Sequence, residues 1–367
     1  MHRVLTSIAI VAFLSGTGAG FSAAALQPTT SPTLSQATET RNASTARRQA
    51  AAAHVQAGVE LLEAEKLREA EERFRQAIAL APEDDNAHGR LGWALILQGR
   101  FAEAESECRE ALRLNPLHAR WHGMLGRSLL GQKRLDEAEA AYREALRLAP
   151  RADLWHGELG RALNYQRRWA EAEVEVRRAI ELDPQDADWH GLLGQVLGGQ
   201  QRWAEAEAAA REAARLSPGF DGWRGHLSWI LLMQEKWAEA ESAAREAVRI
   251  DPRYGQWHGN LGWALRELGR LGEAEAEYRT AIALDPAFHG WRGNLGRVLA
   301  LQEKWAEAEI AYAEAVRLRP DSEEYRRALE NARREHLRQG AGPGGTRVGL
   351  AAPDAPVYSR RASPPRP

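Results

Sequence analysis

The chain has 367 residues, of which 44% are hydrophobic and 27% are charged. It is long enough to bury a large core and too polar to be a multi-span membrane protein. Its 49 basic and 51 acidic residues nearly cancel, so no overall field would draw it to nucleic acid or to an anionic membrane surface, and we expect neither as a partner.

Residues 1–25 are predicted to be an export signal. The mostly apolar run from Val4 to Leu14 follows His2 and Arg3, and small residues then continue to Ala25. The run is too short to span a bilayer comfortably, so we expect cleavage near Ala25 and no stable membrane span after processing. The chain should then be periplasmic or secreted. An uncleaved N-terminal anchor is the alternative.

Residues 26–50 are predicted to be a flexible linker and helix lead-in. The part from Leu26 to Ala43 is rich in Thr, Ser, Pro and Gln, with few large apolar side chains. Such a composition cannot bury enough surface to fix a structure.

From residue 51 to residue 322 the sequence repeats every 34 residues. The phrase WHGELG at Trp155 recurs in related form at Trp121, Trp189, Trp223, Trp257 and Trp291. Each repeat holds two helix-length segments and ends near a proline, which cannot continue a helix and so marks the turn into the next repeat. We number the repeats as units 1 to 8, over residues 51–84, 85–118, 119–152, 153–186, 187–220, 221–254, 255–288 and 289–322. A half unit, 323–339, is predicted to be a capping helix, and the Gly- and Pro-rich tail 340–367 to be disordered.

Several positions of the unit are nearly invariant along the chain. Position 7 is Leu from Leu91 to Leu295, and position 8 is Gly in the same units except at Ser228. Positions 20 and 27 are Ala in every unit. This pattern resembles the tetratricopeptide repeat, a helix–turn–helix of 34 residues. The resemblance implies an all-α fold: a right-handed α-solenoid of eight helix–turn–helix units with a C-terminal capping helix.

The tryptophan at position 3 departs from the resembled family, whose aromatic usually stands at position 4. We interpret this row as packing between units, because a solenoid unit must bury its apolar face on its neighbour. A row of ligand-stacking rings is the alternative. Gly at position 5, inside the first helix, costs about 1 kcal/mol relative to Ala. It either lets a neighbouring Trp or helix approach closely or leaves a shallow floor for a bound chain.

The side chains at positions 17 and 24 trade sizes, as in Trp169 with Val176 and Phe101 with Cys108. This compensation predicts that the two positions fill one shared space. Cys108 is the only cysteine, which excludes an intrachain disulfide, and we expect it to be buried and unreactive.

Position 4 carries a row of His (His54, His88, His122, His156, His190, His258), replaced by Arg224 and Arg292 in two units. A metal site would need several of these rings on one ion, yet packed helices lie about 8 to 10 Å apart. We therefore predict a structural row and no metal. The AEAE phrases are interpreted as solvated helix faces supported by i,i+4 ion pairs.

The resemblance places positions 2, 5, 9, 12 and 13 on the concave surface, where variable residues would carry recognition. The predicted partner-binding residues are Arg127, Arg161, Tyr165, Trp229, Trp263, Arg266 and Arg297. Their guanidinium groups would suit an acidic or carboxylate-ended peptide.

We therefore expect a noncatalytic scaffold that holds an extended peptide or a partner helix in the concave groove, without a cofactor. The alternative is a glycan or small-ligand binder that uses the groove tryptophans. No unit contains a Ser/His/acid arrangement, a phosphate loop or a metal motif, so an enzyme is not expected.

Overall fold

A computed structural model describes residues 34–341, and all regular secondary structure in that range is α-helical. The predicted export signal, the first part of the linker and most of the tail lie outside the described residues. Within 34–341, no helix has both the length and the apolar character needed to cross a bilayer.

The described helices alternate between the first and the second helix of a unit. The first helices are α1 Leu34–Glu63, α3 Asp85–Leu97, α5 Ala119–Gly131, α7 Asp153–Tyr165, α9 Ala187–Gly199, α11 Asp221–Met233, α13 Gly255–Glu267 and α15 His289–Leu301. The second helices are α2 Leu67–Leu80, α4 Phe101–Leu114, α6 Leu135–Leu148, α8 Trp169–Leu182, α10 Trp203–Leu216, α12 Trp237–Ile250, α14 Leu271–Leu284 and α16 Trp305–Leu318. α17 spans Glu323–Ala341, and the order fits eight tandem repeats followed by a half unit.

Two compact units divide the chain, Met1–Arg48 and Gln49–Pro367. In the first, α1 begins at Leu34, so residues 34–43 are helical where composition predicted a linker. The side chains of residues 41–48 are exposed, consistent with the lack of buried surface that the composition implies. The linker prediction failed there because a helix satisfies its own backbone hydrogen bonds and can extend into solvent without a core.

In the second compact unit, each first helix packs on the second helix of its own repeat, and that helix packs on the first helix of the next. The turn within each repeat places position 15 in the left-handed region, with Gly99 and Gly269 at φ 73° and 75°. The amide of Arg100 then donates to the carbonyl of Leu95 at 2.9 Å, which closes the end of α3.

Each tryptophan of position 3 packs against the glycine of position 5 in the preceding unit. A methyl group added at Gly123 would lie 2.5 Å from the Trp155 ring. The same contact joins Gly89 to Trp121, Gly157 to Trp189, Gly191 to Trp223, Gly225 to Trp257 and Gly259 to Trp291. All six rings are at most 5% exposed. The packing interpretation of the Trp row and the close-approach interpretation of the glycines are therefore confirmed.

The capping helix uses the same contact. Tyr325 stands at position 3 of the half unit, and a methyl group at Gly293 would lie 2.5 Å from its ring. The Tyr325 hydroxyl lies 3.0 Å from Nδ1 of His289. α17 thus covers the last unit as one more first helix would.

Positions 17 and 24 have separate contacts rather than one shared space. Position 24 packs within its own unit on the glycine of position 8, as Cys108 does on Gly92. Position 17 reaches the next unit, where Trp169 meets Gly199. Cys108 is fully buried as predicted, and burial raises the pKa of its thiol to about 12.

The interpretation of the AEAE phrases as solvated faces is wrong for their second glutamate, at position 21. Glu207 is 3% exposed and accepts hydrogen bonds from Gln234 at 2.6 Å and Lys236 at 2.8 Å, both in the next unit. Burial alone would raise the pKa of the Glu207 carboxyl, but these bonds and the charge of Arg211 outweigh it and lower the pKa. Equivalent bonds join Glu71 to Arg100, Glu105 to Arg134, Glu139 to Arg168, Glu173 to Arg202, Glu241 to Arg270 and Glu275 to Lys304.

We predict that Trp155→Ala destabilises the chain by about 3 to 5 kcal/mol, because it removes a large buried ring and leaves Gly123 facing a cavity. Chemical denaturation followed by circular dichroism measures this. Trp237→Ala is the control, since Trp237 is only half-buried, and its effect should be smaller. A Trp155→Ala variant as stable as the parent would contradict the packing role.

Candidate binding surface on the first helices

A ladder of alternating aromatic and charged side chains runs across the first helices of units 2 to 5. The guanidinium carbon of Arg127 lies 5.0 Å from the centre of the Trp93 ring, and that of Arg161 lies 5.9 Å from the Trp189 ring. Glu158 lies between them, with Oε1 3.2 Å from Arg127 Nη2 and Oε2 3.5 Å from Arg161 Nε. The structure thus brings two predicted binding residues, Arg127 and Arg161, onto one carboxylate.

Glu158 was not predicted, and it is only 3% exposed. Burial would lower the pKa of the Arg161 guanidinium, but the charge of Glu158 outweighs this and raises it. A buried carboxylate held by two guanidinium groups fixes the positions of both side chains, and the charge of Asp188 also acts on Arg161. Glu158 was missed because it stands at position 6, which the resemblance does not place on the concave surface.

Two further arginines lie near each other on the first helices of units 2 and 3. Arg90, at position 6 of α3, is half-buried, and its Nε donates to the amide oxygen of Asn86 at 3.0 Å. Burial and the nearby charge of Arg120 lower the pKa of Arg90. Arg120, at position 2 of α5, is exposed, and neither arginine forms an ion pair with another described residue. We call Arg90, Arg120, Arg127 and Arg161 the basic patch.

The predicted binding residues of the later units are more engaged in packing. Trp263 is buried, and Trp229 is half-buried, edge-on to the Trp203 ring at 5.6 Å. Arg266 pairs with Glu267 beside it, and its Nη1 lies 3.4 Å from Asn294 Oδ1.

Arg297 is half-buried near Arg266, and its pKa is lowered by burial and by the Arg266 charge. Tyr165 is half-buried at the end of α7, on the same helix as Arg161.

The histidines of position 4 bind the turn between units. In His88, Nε2 lies 3.1 Å from the carbonyl oxygen of Pro82, and Nδ1 lies 2.7 Å from Glu107 Oε2. His156 and His258 repeat both contacts, whereas His122 and His190 meet the proline carbonyl through Nε2. Arg224 donates to the equivalent carbonyl of Pro218 at 2.8 Å, and Arg292 donates to that of Pro286 at 2.6 Å. A shared acceptor explains why Arg and His exchange at this position, and the structural interpretation is confirmed for these residues.

Both neighbours of the His88 ring are acceptors, so both are satisfied only when both ring nitrogens carry a proton. The hydrogen bond to Glu107 raises the pKa of His88, and burial opposes it only in part. In His156 and His258 burial lowers the pKa, but the bonds to Glu175 and Glu277 outweigh it. Among the described residues, the group that could hold a metal is Asp153, Asp183 and Asp186, and it includes no histidine of the row.

Family models described as Tetratricopeptide repeat match residues 61–127, 129–196, 197–255, 226–287 and 260–323. These matches cover well over half of the chain, and with the helix pairs and their spacing they show that the chain belongs to the tetratricopeptide repeat family. Comparison with curated proteins finds no match.

Solved structures with the same fold include the APC/C hetero-tetramer Cut9–Hcn1, at 12% identity and a TM-score of 0.61, over 72% of this chain. The match spans only 52% of that chain. A tetratricopeptide repeat protein from Parabacteroides merdae matches at 15% identity and a TM-score of 0.53, over 68% of this chain and 98% of its own. PilF from Pseudomonas aeruginosa matches at 20% identity and a TM-score of 0.51, over 58% of this chain and 96% of its own. At such identities the likeness establishes the fold alone.

We predict that His88→Gln destabilises the chain by about 1 to 2 kcal/mol near pH 5 and by less near pH 9. The folded-state pKa of His88 is raised, so its stabilising contribution is full below the unfolded-state pKa. It is lost as pH rises through the folded-state pKa. Urea denaturation at both pH values tests this.

His122→Gln is the matched control. His122 meets the carbonyl of Pro116, but Ala141 stands where unit 2 has Glu107. His122→Gln should therefore remove the bond to the proline carbonyl but no bond to a carboxylate. Equal destabilisation by His88→Gln at both pH values would contradict the role of Glu107.

Proposed function

We propose that the chain is a noncatalytic interaction scaffold that holds an extended acidic segment of a partner protein on the basic patch of units 2 to 4. The family and the helical scaffold support this. The solved Cut9–Hcn1 structure, which shares the fold, is itself a protein assembly.

The observation that carries the proposal is the charge of the basic patch. Arg127 and Arg161 share the Glu158 carboxylate, and Arg161 also feels the charge of Asp188, whereas Arg90 and Arg120 form no ion pair among the described residues. On the second helices, by contrast, arginines such as Arg109 and Arg143 pair with glutamates of their own helix. Uncompensated charge on one face attracts and orients an oppositely charged partner.

The spacing of the patch specifies the segment further. First helices of neighbouring units pack about 10 Å apart, and an extended chain advances about 3.3 Å per residue. An acidic side chain at every third residue would therefore meet one unit after another. Guanidinium groups bind carboxylates through two parallel hydrogen bonds, which would fix the register.

Glycan binding receives less support. All thirteen tryptophans lie within the described residues, and none of them is exposed. A sugar-stacking platform needs an accessible ring face, and the ring of Trp229, one of the predicted groove tryptophans, already packs against Trp203. In this proposal Trp229, Trp263, Arg266 and Arg297 form a secondary surface.

The proposal places the scaffold outside the cytoplasm, on the composition of residues 1–25. Mass spectrometry of exported chains should find an N-terminus near Leu26. Intact chains in the membrane fraction would favour the anchor instead.

We predict that Arg90→Gln with Arg120→Gln weakens binding of an acidic peptide at least tenfold, or about 1.4 kcal/mol, without lowering the melting temperature. The probe is a fluorescein-labelled peptide with Glu at every third residue and Gly or Ser between, and the readout is fluorescence anisotropy. Arg127 and Arg161 are left intact, because their loss would strand the buried Glu158.

The control is Arg113→Gln with Arg147→Gln, which removes the same net charge from the second helices, where Glu110 and Glu144 pair with these arginines. It should leave the affinity within about twofold, because screened distant charges contribute little. Arg266→Gln with Arg297→Gln should have an intermediate effect. Equal loss in the control, or none in the Arg90 and Arg120 variant, would remove the basic patch as the site.

A further inference from the structure

One junction departs from the repeat at position 28, on the outer part of the second helix. Seven units carry a branched aliphatic side chain there: Ile78, Leu112, Leu146, Ile180, Val248, Ile282 and Val316. Unit 5 carries Ala214 instead. The junction between units 5 and 6 therefore lacks a side chain that the other units supply.

The structure has a cavity of about 350 Å³, widely open to solvent, at this place between α10, α11 and α12. Its apolar lining comes from Ala214, Leu227, Leu231 and Ala243. Other junctions have the same Leu, Leu and Ala at these positions of the following unit, as with Leu193, Leu197 and Ala209 after Ile180. The cavity thus lies where the missing aliphatic group would be, and a volume of this size suits a small ligand.

The rim of the cavity carries a second departure from the repeat. Position 4 of unit 6 is Arg224, whereas units 2 to 5 and 7 have His there. The Arg224 side chain is 17% exposed, and its guanidinium is held by the Pro218 carbonyl at 2.8 Å and by Glu246. Arg211 and Arg215 also line the cavity, and each is paired, Arg211 with Glu207 and Glu239 and Arg215 with Glu212.

We propose that this cavity binds a short branched aliphatic carboxylate. The aliphatic part fills the space left by Ala214, on Leu227 and Leu231. The carboxylate meets Arg224 and Arg215, whose partners Glu246 and Glu212 are 50% and 37% exposed and can turn into solvent. The site is separate from the basic patch, which lies on α3, α5 and α7, and does not depend on the function proposed there.

The test uses 4-methylpentanoate as probe and 4-methylpentanamide as its uncharged analogue, each titrated into the full chain by calorimetry. The parent should bind the carboxylate saturably and more tightly than the amide. Ala214→Ile should reduce that affinity at least about tenfold and raise the melting temperature, since it occupies the apolar part of the cavity with a residue found in other units. Arg224→His should bind the carboxylate and the amide almost equally.

A gain-of-binding variant exists at another junction of the same chain. The junction of units 7 and 8 has Leu295, Leu299 and Ala311 with Arg292 at position 4, but Ile282 fills position 28. Ile282→Ala should therefore create a second and weaker site, since Ala283 stands where unit 5 has Arg215. Ile180→Ala, which opens the space beside His190 rather than an arginine, should not discriminate the carboxylate from the amide.

Absence of saturable binding to the parent would overturn the proposal. So would undiminished binding by the Ala214→Ile variant, because the probe would then lie elsewhere. A loss confined to Arg224→His, with Ala214→Ile unchanged, would mean that the arginines bind carboxylates without the cavity and would also overturn it.

Discussion

The contact between each tryptophan ring and the bare backbone of a glycine in the preceding unit is the constraint on which this structure depends. A glycine inside a helix costs about 1 kcal/mol, and a buried tryptophan contributes about 2 to 3 kcal/mol. The burial of the tryptophan therefore outweighs the cost of the glycine only where the ring packs against that glycine. Seven junctions, including that with Tyr325 of the capping helix, use this contact within the described residues. It sets the approach of successive first helices, which places Arg127 within reach of Glu158 in the next unit.

Most of the fold could be predicted from the 34-residue period, because the proline, the Leu-Gly pair and the alanines of positions 20 and 27 recur at fixed places in each unit. The role of Trp155 also followed, since its stripe must be buried on a neighbour. The role of Gly123 could not be predicted, because a glycine is expected both where a neighbouring ring approaches the helix closely and where the surface is left open for a bound chain. The burial of Glu207 was missed because the sequence spacing of Glu207 and Arg211 predicts an i,i+4 ion pair on an exposed helix face and on a covered one alike. The recurring Gln and Arg or Lys at positions 14 and 16 were the available signal.

Only part of the candidate site could be predicted in the same way. Arg127 and Arg161 were identified from position 9, but their coupling through Glu158 depends on a contact between units that no single repeat encodes. Arg90 was missed because it stands, like Glu158, at position 6, which the resemblance does not place on the concave surface. The regular positions therefore form the scaffold, and chemistry is concentrated where a unit departs from its neighbours. Arg90 and Arg120, which form no ion pair among the described residues, are one such departure, and Ala214 with Arg224 is another.

A double-mutant cycle on Gly157 and Trp189 tests the central claim most directly, with unfolding free energies measured by urea denaturation. In the parent, Gly157→Ala should be destabilising, because its Cβ would lie 2.3 Å from the Trp189 ring. In a Trp189→Ala background the same change should stabilise by about 1 kcal/mol, since only the helix propensity of alanine over glycine remains. If Gly157→Ala stabilises the parent as much as the variant, the ring does not depend on the glycine and the account is wrong.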